Sequence, residues 1–357
     1  MIRRLSLRKG NIMSKTINIG PVKIGGGSKI AIQSMLNREA HDIEGNIEQA
    51  LQLQNAGCDI VRIAVPDMDS VKTLHAVKDK ISIPLVADIH FDYRLAIESA
   101  AAGADKIRIN PGNIGSADRV KAVVAACREK NLPIRIGVNS GSLEKSILAK
   151  YGGATPEGMV DSALYNVSLL EKFDFDDIVI SLKSSDVKTM VSAYRLMSGK
   201  CSYPLHIGVT EAGSERMGII KSAAGIGALL VDGIGDTIRV SLTADPVKEI
   251  FAAKDILKSL GYKGYGVNIV SCPTCGRTRI DLIALANAAS EALRNVDKDI
   301  TVAIMGCVVN GPGEASAADI GIAGGIDSGL IFKKGAALRK VPQGKLLEEL
   351  ISEIEKM

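Results

Sequence analysis

The sequence predicts an α/β fold in two parts: an N-terminal (β/α)8 TIM barrel over residues 15–261 and a smaller α+β domain over residues 262–357. Three observations carry this expectation. Eight short β-branched runs alternate with helix-patterned stretches over about 230 residues, as a (β/α)8 barrel requires. The pattern changes after LTADPVKEIFAAKDILKSLG, and a Cys-x-x-Cys pair with a third cysteine appears only behind that change.

In chain order, MIRRLSLRKG is basic and lacks the apolar core of a signal peptide. Residues 1–14 are read as a flexible or extended N-terminus, with Met13 an alternative start. The strand candidates are KIAIQSM (29–35), DIVRIAV (59–65), IPLVADIH (83–90), DKIRINPG (105–112), PIRIGVNSG (133–141), DIVISLKSS (177–185), PLHIGVTEAG (204–213) and DTIRVSLTAD (236–245). Most are followed by a periodic helix such as ADRVKAVVAACREK. AGCDIVRI (56–63) and AGADKIRI (102–109) repeat one another, each ending a helix on glycine and entering a strand that carries an arginine. A doubly wound sheet is the weaker reading, because IGGGSK precedes a strand instead of opening a helix. From Tyr265 the order is strand (GVNIV), cysteine pair, helix (RIDLIALANAASEALRNV), strand (DITVAIMG), a Gly-rich loop with the third cysteine, short strands and a closing amphipathic helix.

Composition narrows the class. With 46% hydrophobic and 24% charged residues and a net charge of +4, the 357-residue chain suggests neither disorder nor a surface that coats a polyanion. Absence of Trp and 3% aromatics argue against base stacking on nucleic acid. No run approaches the roughly 18 apolar residues of a membrane helix. A soluble cytoplasmic enzyme without nucleic-acid or membrane partners is therefore expected.

Side chains two or four apart along a strand share a face. Asp88 and His90, Arg108 and Asn110, Arg135 and Asn139, and Arg239 and Ser241 are such pairs, and Arg62 and Lys183 add charges at similar positions. Any one of these could be a rim charge on its own salt bridge. Barrel strands are buried on both faces, so five cations (Arg62, Arg108, Arg135, Lys183, Arg239) on five strands point instead to an anionic ligand at the mouth. A diphosphate or cyclic diphosphate matches their number, since arginine donates two bonds to one phosphate group. Asp88, His90 and Glu211 are candidates for orienting hydroxyls or moving protons, although an acid there could equally hold an arginine in place.

By itself, VSCPTCGRT (270–278) is open to a redox disulfide, half a zinc site or part of an iron–sulfur cluster. Cys272 and Cys275 are joined by Cys307, with no fourth cysteine after it and no histidine beyond His206, so a four-ligand zinc site cannot close locally. A thioredoxin-type pair leaves the third thiol unexplained. Three thiolates with one exchangeable ligand suit a [4Fe-4S] cluster, and Glu314 is the nearest candidate for the fourth position, as a hard and easily displaced ligand. Cys58, Cys127 and Cys201 read as small buried apolar side chains.

SCPTCGRT, MGCVVNGPGEASAADIGIAGG, QSM (33–35), ADIHFDYRLA (87–96) and KIRINPGNIG (106–115) together resemble the bacterial 4-hydroxy-3-methylbut-2-enyl diphosphate synthase family, from about residue 15 to the end. The resemblance implies a TIM barrel followed by a [4Fe-4S] domain related to those of sulfite and nitrite reductases. It also implies reductive opening and dehydration of 2-C-methyl-D-erythritol 2,4-cyclodiphosphate in the methylerythritol phosphate route to isoprenoids, with two electrons from flavodoxin or ferredoxin. By motif, Cys272, Cys275, Cys307 and Glu314 resemble the family's cluster ligands. The strand-end cations, with Asn139 and Ser241, resemble its diphosphate-binding positions, Asn310 a substrate contact on the cluster side, and Glu211 a carboxylate of proton handling. The sequence departs from the family at QSMLNREAHD, so nothing specific is expected of Asn37 or Arg38. Lacking the large insertion of three-domain forms, the chain is expected to form a head-to-tail homodimer in which one copy's cluster domain covers the other's barrel mouth. The rival readings are a phosphosugar aldolase or synthase with a structural zinc module, and a non-catalytic iron–sulfur sensor or electron carrier.

Overall fold

A computed structural model describes residues 13–307, 315 and 317–357. Residues 1–12 of the expected N-terminal extension, and the site candidates Asn310 and Glu314, lie outside the described residues. The chain divides into two compact units between Ile256 and Leu257.

The first unit opens with an antiparallel hairpin, β1 (Ile17–Ile19) and β2 (Val22–Ile24). These three-residue strands are too short for a periodic signal, and the sequence reading missed them. Their buried Ile17, Ile19 and Ile24 pack on Ala31, Ile60, Val86 and Val179 near the strand starts, which seals that end of the barrel with apolar surface.

All eight expected strands follow: β3 (Ala31–Met35), β4 (Ile60–Ala64), β5 (Leu85–Asp88), β6 (Lys106–Ile109), β7 (Ile134–Asn139), β8 (Ile178–Lys183), β9 (His206–Ile207) and β10 (Thr237–Ile238). They pair in the order β8-β7-β6-β5-β4-β3-β10-β9, every pair parallel. The ring closes between β8 and β9 through the Ile180–Leu205 bridge, where the Ile180 amide donates to the Pro204 carbonyl at 2.9 Å. β5 and β8 are buried at every position, as strands covered on both faces must be.

Several of the connecting helices begin at residues whose side chains satisfy a free amide. α1 (Ile43–Asn55) is capped by Asp42, and α2 (Met68–Lys78) by Asp67 in a reciprocal box with Ser70. Then follow α3 (Tyr93–Ala101), the short α4 (Pro111–Ile114) and α5 (Ala117–Glu129). The repeated AG segments are the exits of α1 and α3: Gly57 (φ 86°) and Gly103 (φ 100°) adopt the left-handed conformation that other residues rarely take. The widest gap in the strand spacing holds two helices, α6 (Lys145–Tyr151) and α7 (Pro156–Glu171). α8 (Val187–Ser198), α9 (Glu215–Val231) and α10 (Pro246–Ser259) complete the ring.

The second unit is a five-stranded sheet in sequence order: β11 (Asn268–Ser271), β12 (Thr301–Met305), β13 (Ile320–Gly324), β14 (Ser328–Lys333) and β15 (Ala336–Pro342). The first three strands are parallel and the last two antiparallel. α11 (Leu282–Ala292) and α12 (Leu346–Glu355) bury Leu282, Ala289, Leu346, Leu350 and Ile354 against Val302, Ile304, Ile320 and Ile322. The alternate side chains Ala303, Met305 and Ala323 pack with Ala315, Ala318 and Phe332 on the other face. Among the described residues no helix is long and apolar enough to cross a membrane.

Candidate active site

Parallel pairing places the polar strand residues side by side. Asp88, at the end of β5, lies opposite Arg108 on β6, and Arg108 lies opposite Arg135 on β7. Arg108 donates from Nη1 to Asp88 Oδ1 at 3.0 Å and from Nη2 to the Gly137 carbonyl at 3.2 Å, with His90 Nε2 3.5 Å from Nη1. Gly137 is required here, since a Cβ would stand 2.3 Å from Arg108 Nε. Arg62 Nε lies 3.6 Å from Asp88 Oδ2, and its guanidinium also rests on Met35 Sδ. Burial alone would raise the Asp88 carboxyl, but Arg62, Arg108 and Arg135 outweigh it and hold the pKa below the usual carboxylate range.

Arg62 and the other cations are less well neutralised than Arg108. Burial lowers Arg62 to about 10, and Arg239 and Arg108 add repulsion. Arg135 is 1% exposed; its Nη1 reaches only Ser181 Oγ at 3.5 Å, and Nε and Nη2 have no partner. Burial first, then repulsion from Arg62 and Arg108, pushes its pKa far down. Lys183, 6% exposed, is lowered by burial and by Arg239, Arg135 and Arg62. Its neighbours thus place it with the arginines, although it makes no ion pair among the described residues. Arg239 lies 3.5 Å from Glu249 Oε2.

The other barrel candidates are less tied in. Asn110 is buried with Oδ1 unpartnered, and Asn139 pairs across β7–β8 with Lys183. Ser241 is half-buried. Glu211 is exposed in a left-handed conformation (φ 50°) and His90 is exposed.

Sequence reasoning missed three groups in this interior. Glu249, on α10, accepts from Ser34 Oγ at 2.7 Å and from the Leu242 amide at 3.0 Å, so it anchors the loop behind Arg239. It sits on a helix after the last strand, where no strand pattern could have found it. Lys106 is fully buried, with Gln33 Oε1 at 3.5 Å and burial lowering its pKa strongly. Its position two residues before Arg108 was the available signal. His206 is fully buried, its Nδ1 2.8 Å from Thr237 Oγ1 and Nε2 unpartnered, and burial with nearby cations favours the neutral ring.

In the second unit, β11 and β12 run parallel with Ser271 opposite Ile304, so their exits lie side by side. Cys272 leaves one strand; Gly306 and Cys307 leave the other. The Gly306 amide donates to Cys272 Sγ at 3.3 Å, and the Gly306 carbonyl accepts from the Arg279 amide at 3.0 Å. The Cys275 amide donates to Thr278 Oγ1 at 3.2 Å, and hydrogen bonds from Arg277 lower the Cys275 thiol pKa. An amide aimed at one sulfur and a thiolate-favouring environment at another fit a soft metal or iron–sulfur group. Among the described residues no three ligands already stand together. Cys58 and Cys127 are buried with thiols raised to about 12, and Cys201 is half-buried, its thiol also raised by burial.

Fold and sites define the class: a (β/α)8 barrel with a cation-rich interior, joined to a thiol-bearing α+β domain. The GcpE TIM-barrel domain matches residues 14–254 and the GcpE protein C-terminal domain matches residues 268–356. The chain belongs to the GcpE family. Curated relatives named 4-hydroxy-3-methylbut-2-en-1-yl diphosphate synthase (flavodoxin) include that of Clostridium perfringens, 58% identical over 96% of this chain and 98% of its own length. The relative in Caldanaerobacter subterraneus subsp. tengcongensis is 58% identical over 97% of each. Among solved structures, 3-dehydroquinate dehydratase from Geobacillus kaustophilus covers 70% of this chain and 98% of its own at a TM-score of 0.51 and 14% identity, a likeness of fold alone. The aldolase reading with a zinc module finds no support among the named relatives.

Proposed function

We propose that this chain carries out the reaction for which its relatives are named, taking 2-C-methyl-D-erythritol 2,4-cyclodiphosphate to 4-hydroxy-3-methylbut-2-enyl diphosphate by ring opening and two-electron dehydration. The observation that carries it is Arg135, buried with two donors unpartnered beside Arg62, Arg108 and Lys183, and with the nearby carboxylates Asp88 and Glu249 already engaged by Arg62, Arg108 and Arg239. Desolvated cations that lack counter-charge favour a polyanion, and the diphosphate supplies it.

In this reading Arg62, Arg108, Arg135, Lys183 and Arg239 hold the diphosphate. Asp88 keeps two of the guanidiniums aimed, while Asn110, Asn139 and Ser241 orient the substrate's oxygens. His90 and Glu211, both exposed at strand exits, serve proton movement. Water is kept from the reacting carbon by the buried walls of the mouth. A [4Fe-4S] cluster held by Cys272, Cys275, Cys307 and Glu314 would supply the reducing electrons and a Lewis-acid position. Asn310 would meet substrate from that side. Flavodoxin, or ferredoxin in its place, is the electron donor, and the working form is a head-to-tail homodimer in the cytoplasm.

Anaerobic protein with reconstituted iron and sulfide, given the cyclodiphosphate and dithionite, tests this. Formation of the open-chain diphosphate is expected. Iron–sulfur binding without turnover would leave the sensor or carrier reading.

A further inference from the structure

We propose that an acidic electron-donor protein docks on the surface of the C-terminal domain beside Cys307, with Arg279 and Lys340 as its steering charges. The inference rests on the redox reading above and adds where the donor binds. Cys307 itself lines a hollow of about 470 Å³ together with Arg277, Arg279, Ile326, Leu330 and Lys340, and among the described residues no carboxylate lines it. The three cations are exposed, and Ile326, beside the β13–β14 turn, is 75% exposed. Leu330 and Lys340 face one another across the β14–β15 ladder, which fixes the cation beside the apolar floor.

Sequence neighbours sharpen the point. Arg339 is neutralised by Glu349 and Glu353 of α12. Lys340, the next residue, projects to the other face of the strand and makes no ion pair among the described residues, and nor does Arg279. Two exposed cations with no ion pair among the described residues, around an exposed isoleucine, have the anatomy of a transient interface: an apolar centre for contact and a charged rim for orientation and on-rate. A small dianion is a worse occupant. The barrel mouth holds its cations at 1% to 9% exposure for Arg135, Lys183 and Arg108, where water does not screen them. Arg279 and Lys340 stand in solvent, where attraction to a single small ion is largely screened.

The occupant that fits is a one-electron donor with carboxylates around its redox group. Flavodoxin, the donor for which the relatives are named, is the probe. Two encounters, each oxidising one flavin hydroquinone to the semiquinone, supply the two electrons that the dehydration consumes. A donor seated in this hollow touches Cys307, one of the thiols assigned to the electron-accepting group.

The test is the double variant Arg279→Glu/Lys340→Glu in the reconstituted full-length protein. Affinity for oxidised flavodoxin is read by flavin fluorescence anisotropy at low and high salt, and turnover is read separately with reduced flavodoxin and with dithionite. The expected result is flavodoxin affinity weakened about tenfold or more at low salt, a Michaelis constant for reduced flavodoxin raised in step, and unchanged dithionite-driven turnover and visible spectrum. Arg279→Lys/Lys340→Arg should bind as wild type. Unchanged flavodoxin affinity overturns the proposal, and so does a parallel loss of dithionite-driven turnover, which would assign these cations to substrate. Wild-type protein that binds flavodoxin through this patch yet turns over nothing with dithionite would sink the catalytic reading and leave the docking site standing.

Discussion

Asp88 accepts a hydrogen bond from Arg108 Nη1 at 3.0 Å while its other oxygen lies 3.6 Å from Arg62 Nε, so one carboxylate holds two guanidiniums from the strands on either side of its own. Asp88 is 3% exposed, and its pairing is enforced by the register of three parallel strands. The carboxylate is thereby committed to the protein, and Arg135 is left with Nε and Nη2 unpartnered.

Replacing Asp88 with Asn should destabilise the barrel by about 3 kcal/mol, because breaking a buried pair strands the remaining charges. Chemical denaturation gives the shift, and added diphosphate should recover more of the loss in the variant than in wild type. Because the folded-state pKa is depressed, this contribution is present above about pH 4 and is lost as pH falls through the folded value. The wild-type midpoint should therefore fall more steeply with acid below that point than that of Asp88→Asn.

Gly137→Ala tests the seat of Arg108. The added Cβ would lie 2.3 Å from Arg108 Nε and displace the guanidinium. Diphosphate affinity measured by calorimetry should drop about tenfold, roughly 1.4 kcal/mol. Gly141→Ala, with nothing within 4 Å of its Cβ, is the control and should bind normally.

Lys183 should make binding proton-linked. In the free protein, burial and neighbouring arginines depress its pKa well below the usual lysine value. A bound dianion raises it again, so protons are taken up on binding and affinity falls as pH rises through the window between the free and bound values. Calorimetry in buffers of different ionisation enthalpy should report that uptake in wild type and its loss in Lys183→Met.

Cys307→Ser should abolish stable iron and sulfide incorporation while leaving the far-ultraviolet dichroism intact. Binding of the cyclodiphosphate to the barrel should be unaffected, since no barrel cation depends on that thiol. A variant that keeps its full iron and sulfide content would remove Cys307 from the ligand set.

How much was legible follows from what each pattern reports. The eight barrel strands could be read because β-branched runs and the periodic helices between them are local signals, repeated along the chain. The hairpin Ile17–Ile24 escaped because two strands of three residues carry no period. The five cations could be picked out because charge inside a strand covered on both faces is anomalous. Lys106 broke the same rule and was overlooked, whereas Glu249 carried no local mark at all.

The sequence by itself determined the order of elements, the identity of the strand-end cations and the clustering of Cys272, Cys275 and Cys307 behind a change in pattern. Tertiary structure alone decided which charges were spoken for. Asp88 meets Arg62 and Arg108, Glu249 meets Arg239 and Ser34, and Arg135 is left with unpartnered donors. It likewise brought Gly306 to Cys272 through the pairing of β11 with β12. The physical reason is that hydropathy and propensity act along the chain within a few residues, whereas the cost of a buried charge depends on atoms that strand register draws together from far apart.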